Sequence, residues 1–235
     1  MSNNSNVRNN SQFLSLLFNI VIPAIILTKF SKDTYLGPMY GLLVALAFPL
    51  FYGLYELVVQ KRKDFISVLG FVGVLLSGTI SLLKFPPQWI AVKEASIPLL
   101  IGLIILISTR TSWQLINKIF YNRELLNIDK IESVLSTDAL RSRLKAILSR
   151  ANMLLACSFF FSAAMNFILA KKIVQSMPGT QQFNEELGRM SVLSFPVIAV
   201  PSMIFMIFIL WYLFSSMKKL THLTTSEIMS DKLHR

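Results

Sequence analysis

The chain is predicted to be all-α: an integral membrane bundle of about six transmembrane helices, both termini cytoplasmic, with an amphipathic cytoplasmic segment between helices 4 and 5. Three observations predict it. Of its 235 residues 54% are hydrophobic and only 15% charged, with a mean hydropathy of +0.58, whereas soluble domains carry about 25% charge. The apolar residues gather into uncharged runs long enough to cross about 30 Å of hydrocarbon. The basic residues, 23 against 12 acidic, lie mostly between those runs. A net charge of +11 on a soluble chain would point to nucleic acid. Spread through the connections, with no RNA- or DNA-binding motif beside it, it follows the bias of Lys and Arg toward cytoplasmic loops. No nucleic-acid partner is expected.

Residues Ser2 to Gln12 are mostly Asn and Ser with one charge, Arg8, and cannot bury enough apolar surface to order themselves, so 1–12 reads as a disordered tail. The transmembrane domain occupies 13–217. Helix 1, 13–30, lacks the basic leader and small-residue cleavage site of a signal peptide and is expected to stay in the protein. Helix 2, 36–59, stops at Lys61-Arg62-Lys63, and helix 3, 65–83, stops before Pro86-Pro87. The apolar part of helix 4, 89–108, begins only at Ala95; taking in Trp89 to Glu94 gives it spanning length.

The excursion 110–150 sets Trp113, Ile116 and Phe120 at helical spacing beside Lys118 and Arg123, the pattern of a helix lying on a membrane surface, with anionic lipid headgroups as its partner. Thr137 and Asp138 offer an N-cap. The helix they start meets no breaker before helix 5, 151–170, which is therefore expected to project beyond the bilayer. Helix 6 covers 192–217, and 218–235 is a cytoplasmic tail.

Orientation follows from the connections. Arg8, Lys61 to Lys63, the eight basic residues from Arg110 to Arg150 and Lys218, Lys219, Lys232 and Arg235 put sixteen on one side against seven on the other. The richer side faces the cytoplasm. Tyr and Trp prefer the headgroup level, and Tyr35, Tyr40 and Trp89 fall near the outer ends, with Tyr52, Tyr55, Trp113, Trp211 and Tyr212 near the inner ones.

The run Gln88-Trp89-Ile90-Ala91-Val92-Lys93-Glu94-Ala95-Ser96-Ile97-Pro98 entering helix 4, Asn166-Phe167-Ile168-Leu169-Ala170 leaving helix 5, and Thr180 with Phe183-Asn184 before Gly188 resemble the order of features in bacterial intracellular septation protein A. The resemblance spans most of the helical region, the chain looking like a longer relative in a sister group. It implies a multi-pass protein of the bacterial cytoplasmic (inner) membrane, associated with division and envelope synthesis, with envelope or division proteins as partners and no catalytic residues to carry across. The long excursion after helix 4 and the Glu185-Glu186 pair depart from the family's pattern.

Cys157 is the only cysteine, both histidines, His222 and His234, sit in the hydrophilic tail, and the familiar hydrolase, NTPase and metal motifs are missing. No metal, no cofactor and no enzymatic activity are expected. Prolines fall inside helices 1, 2, 4 and 6, at Pro23, Pro49, Pro98, Pro196 and Pro201, and each frees the carbonyl four residues earlier. Pro23 and Pro98 free those of Asn19 and Glu94, so Asn19, Lys93 and Glu94, with Asn166 on helix 5, form a candidate solute site of the kind broken transporter helices build. The same prolines also read as ordinary kinks re-satisfied by neighbours. Lys93 and Glu94 read equally as a pair that only fixes helix packing, and Glu56 as a carboxylate snorkelling toward Lys61 to Lys63.

Val21 to Ile26 rhymes with Ser96 to Ile101, and Ser67 to Phe71 with Ser191 to Phe195, either an inverted three-helix repeat or chance among apolar runs. Asn152, Ser158, Ser162, Ala163, Ala164 and Asn166 give helix 5 a face suited to close packing. The external loop 171–190, with Asn184, Glu185 and Glu186, reads as a lid over helix 4 or as a plain solvated turn. Two functions remain: a non-enzymatic envelope protein acting through partners or lipid, and a small-solute or ion transporter. Either is compatible with a homo-oligomer.

Overall fold

The structure, a computed structural model, describes residues 17–58, 65–111, 116–117, 121, 123 and 125–230. The expected tail at 1–12, the stop at Lys61 to Lys63, Trp113, Lys118, Phe120 and His234 lie outside them, as does the side chain of Glu56. Among the described residues the elements are helices: α1 Leu17–Phe30, α2 Gly37–Val58, α3 Phe65–Leu82, α4 Gln88–Ser108, α5 Ile128–Val134, α6 Asp138–Ile173, α7 Gln181–Thr221 and α8 Thr225–Ile228. One isolated antiparallel bridge joins Leu126 and Met229.

Four helices are long and apolar enough to cross a membrane: α2 over Gly37–Tyr55, α4, α6 and α7. α1 is a shorter apolar helix, and α3 has 18 residues. The bounds of α2, α3 and α4 lie within a residue of the expected ones, α6 and α7 end three and four residues beyond theirs at Ile173 and Thr221, and 13–16 of helix 1 lie outside the described residues. Thr137 accepts the Leu140 N–H at 3.4 Å, and from there α6 runs 36 residues, about 54 Å at 1.5 Å per residue, so helix 5 is as long as its missing breaker implied.

α7 starts earlier than expected, which corrects the loop at 171–190. Thr180 accepts the Phe183 N–H at 3.1 Å and caps a helix that buries Phe183, Leu187 and Met190 at i, i+4 and i+7. Only 174–180 connects α6 to α7. Asn184, Glu185 and Glu186 are therefore helical and not part of a turn.

The proline expectation divides. α1 and α7 leave α-geometry for π-turns at Leu17–Val21, Ile26–Phe30 and Phe195–Ala199, beside Pro23, Pro196 and Pro201, as breaks were expected to do. α2 and α4 run unbroken through Pro49 and Pro98, so Pro98 is not a helix break. Losing one backbone bond is tolerable where the flanking turns stay intact. The stretches Val21 to Ile26 and Ser96 to Ile101, which rhyme in sequence, thus differ in backbone.

The chain divides into two compact units, Met1–Ile97 with Ala164–Ile198, and Pro98–Ala163 with Ala199–Arg235. The first has a core of Leu27, Leu42, Ala45, Ile90, Phe183 and Leu187. There α1 lies close on α7: a Cβ at Gly188 would sit 2.7 Å from Thr28 Cγ2 and 3.1 Å from the Ala24 carbonyl oxygen, so the approach requires glycine.

In the second unit one residue of the expected surface face at 110–150, Ile116, is covered by protein, while Trp113 and Phe120 lie outside the described residues. Ile116 is fully buried, in one core with Leu126, Ile131 and Leu135, with Leu148 and Leu155 of α6, and with Leu213 and Met217 of α7. A lone amphipathic helix needs lipid to cover its apolar face, but here Leu126, Ile131 and Leu135 supply a protein cover. The tail joins that core. Beyond His222, which ends α7 in the left-handed region at φ 57°, Ile228 is buried, Asn127 N–H donates to Ile228 O at 2.9 Å and Ser230 N–H to Leu125 O at 3.0 Å.

Outside these cores the long helices stay apolar. Leu100, Ile104 and Ile107 on α4, and Ile204, Ile207 and Trp211 on α7, are 50 to 66% exposed, at i, i+4, i+7 and i, i+3, i+7. Exposed apolar faces of this length are a surface suited to lipid or to a protein partner.

Candidate functional site

Lys93 sits near the start of α4, with its side chain 11% exposed. Its Nζ donates to Glu94 Oε1 at 2.6 Å and to Ser77 Oγ of α3 at 2.8 Å. Adjacent helical residues do not face each other, so the long Lys stem turns to reach both, and the pair ties α4 to α3 while neutralising itself. One turn along, Ser96 Oγ donates to the Lys93 carbonyl at 2.8 Å.

Of the four residues expected to form a solute site, Lys93 and Glu94 are brought together. Asn19 is exposed in the first described turn of α1. Asn166 is half-buried on α6.

Asn184, read from sequence as a loop residue, is fully buried. Its Nδ2 donates to Ser31 Oγ at 3.0 Å and to the Pro38 carbonyl at 2.7 Å, joining α7 to the α1–α2 connection, while its Oδ1 has no partner. The neighbouring carboxylates serve local structure. Glu186 accepts from the backbone of Gln175 and Ser176, both at 2.9 Å, and from Ser176 Oγ at 2.7 Å. Glu185 accepts from Gln181 Nε2 at 2.6 Å.

In the second unit the corresponding buried amide is Asn152 of α6, 0% exposed. Its Oδ1 accepts the Ile116 N–H at 3.2 Å, and its Nδ2 lies 2.9 Å from the Ile105 carbonyl oxygen, 3.1 Å from Ser108 Oγ and 2.7 Å from Thr109 Oγ1. It closes the C-terminal end of α4, where helix carbonyls lack intrahelical donors. The close-packing face expected on helix 5 is partly realised, with Asn152, Ser158 and Ala163 buried but Ala164 exposed.

At the water-facing end of this unit Glu227 completes a capping box with Thr224 and meets Lys130 Nζ at 3.0 Å. The Thr224 backbone N–H, its hydroxyl and then Lys130 hold the Glu227 carboxyl down at about 2. Burial, and secondarily Glu132, raises the Tyr121 hydroxyl above its ordinary value. Among the described residues no three His, Cys, Asp or Glu side chains stand close enough to hold a metal ion.

Two of the surface depressions among the described residues lie against α7. A groove of about 860 Å³ between α1 and α7 is walled by apolar side chains such as Val21, Ile25 and Phe195. A cleft of about 390 Å³ between α6 and α7 is bordered by Arg143, Arg150 and Lys219. Comparison of the chain with protein-family models, curated proteins and solved structures returned no match.

Proposed function

We propose that the chain is a multi-pass protein of the bacterial inner membrane, crossing it six times with both termini inside, and that it acts without catalysis, through envelope or division partners and anionic lipid. The observation that carries the membrane part is the pair of exposed apolar stripes on α4 and α7, which water would not tolerate over such lengths. In this reading the apolar runs 13–30 and 65–83 add two passes to the four helices that are long and apolar enough to cross. The envelope and division part rests on the resemblance to intracellular septation protein A. The non-catalytic part is supported by how the polar residues are used: Lys93 neutralises Glu94, and Asn184 and Glu186 hold helix ends and turns.

Reporter fusions test this reading. Fusions after Lys63 and after Arg143 report cytoplasm, and fusions after Lys84 and after Thr180 report the outside. Opposite signals at either pair overturn the orientation.

A second reading, a carrier of a small solute or ion, draws on the π-turns of α1 and α7 and on the shielded Lys93–Glu94 pair. Irregular helix turns beside shielded charges are how carriers expose backbone to cargo.

A further inference from the structure

In the second unit α6 and α7 face each other across the cleft of about 390 Å³. On α6, Arg143 and Arg150 are seven residues apart, two turns along one face, with Ala146 and Ile147 between them as an apolar floor. On α7, Tyr212, Ser216 and Lys219 repeat the spacing at i, i+4 and i+7. Among the described residues no acidic side chain lines the cleft. The side chains of Arg143, Arg150 and Lys219 form no ion pair or hydrogen bond with any described residue, nor do the hydroxyls of Tyr212 and Ser216.

Three cations around one depression repel each other, and an anion between them relieves that repulsion. Guanidinium forks match phosphate geometry, and the two free hydroxyls can meet its polar substituents. The depth of the cleft selects the source of the phosphate. On α7 the exposed apolar stripe Ile204, Ile207, Trp211 ends at Trp211, one residue before Tyr212, and on α6 the uncharged run begins at Ala151, one residue after Arg150. Both helices therefore change from apolar to basic at the cleft, with an exposed Trp beside it, as at the headgroup level of a bilayer.

We propose that this cleft binds the phosphodiester headgroup of an anionic glycerophospholipid. Arg143, Arg150 and Lys219 meet the phosphate, Tyr212 and Ser216 meet the headgroup hydroxyls, and the acyl chains run along the apolar surface beyond Trp211. Basic depressions between transmembrane helices on the cytoplasmic side bind such lipids in general. The assignment rests on the proposed reading that α6 and α7 cross the bilayer, and it replaces the expected diffuse attraction along 110–150 by a defined site.

The full chain, purified in detergent, is offered phosphatidylglycerol or phosphatidylcholine with identical acyl chains, and the retained lipid is counted by native mass spectrometry. Phosphatidylglycerol is retained preferentially. Each of Arg143→Gln, Arg150→Gln and Lys219→Gln weakens retention about fivefold, and the triple variant about a hundredfold. These side chains are exposed and unpaired, so the variants keep wild-type circular dichroism. Triple neutralisation of Lys84, Lys171 and Lys172 to Gln, far from the cleft in sequence, leaves retention unchanged. Equal loss in that control, or undiminished retention in the cleft variant, overturns the site. Millimolar inorganic phosphate leaves the bound lipid in place; displacement by it would assign the cleft to a soluble anion instead. Carbonate washing of membranes separates the two levels: a chain released by it refutes the membrane reading, whereas a chain that stays, with an indifferent cleft variant, refutes only the lipid site.

Discussion

At its N-terminal end α4 is tied to α3 by an ion pair, Lys93 with Glu94 and the Ser77 hydroxyl, and the two charged side chains keep 11 and 25% of their exposure. At its C-terminal end the tie is a neutral amide, Asn152, in a place with no exposure at all. The desolvation cost of an ion pair grows steeply with burial, whereas an amide placed among a carbonyl, two hydroxyls and a backbone N–H keeps its bonds without carrying charge. The difference teaches where this protein places charge: at helix ends that retain some water, with amides doing the joining where water is gone.

The largest effect should follow from Asn152→Ala. It removes the acceptor of the Ile116 N–H, leaving that buried donor unpaired at a cost of about 2–3 kcal/mol, while the Ile105 carbonyl keeps the Thr109 N–H and the Ser108 and Thr109 hydroxyls. Thermal unfolding in detergent should fall by roughly 5–10 °C. A variant melting with wild type would show that water replaces the amide and would dissolve the contrast between the two ends.

Glu94→Gln should cost less, about 1–2 kcal/mol, since the carboxylate it removes still reaches some solvent and Lys93 keeps Ser77. The same unfolding measurement ranks the two ends directly, and a larger loss here than at Asn152 would invert the comparison. If Glu94→Gln is instead abundant and stable but fails to support growth or a normal envelope, the pair is a working site and the carrier reading gains.

The smallest effect concerns Glu227, whose side chain is 38% exposed. Its folded value of about 2 lies below the ordinary 4.5, so the capping contribution is complete above about pH 4.5 and is lost as pH falls through about 2. The Thr224 amide resonance should stay constant down to pH 4 and shift only toward pH 2. A midpoint near 4.5 would mean that the cap around α8 does not form.

Run lengths and caps carried most of the helix plan. The uncharged runs marked α2, α3 and α4 to within a residue or two, and Thr137 with the unbroken run after it foretold the length of α6. The start of α7 was also written in the sequence, as Thr180 followed by Phe183, Leu187 and Met190, but the polar residues between them hid the spacing. Asn19 shows the opposite case. A proline four residues on withholds one backbone N–H wherever the helix points, yet how exposed the Asn19 side chain is depends on how α1 packs against its neighbours.

Local chemistry thus determined that this chain forms long apolar helices, roughly where they begin and end, and which charges lie between them, because hydropathy, capping and charge act over one or two turns. Only the tertiary structure decided that Ile116 is covered by protein, that the segment after α7 folds back onto Leu125 and Asn127, and that Asn152 and Asn184 point inward. Those outcomes depend on partners several turns or whole helices away along the chain, as from Ile116 to Asn152 and from Ser31 to Asn184, and no local pattern specifies which distant surface will supply the missing hydrogen bond or the apolar cover.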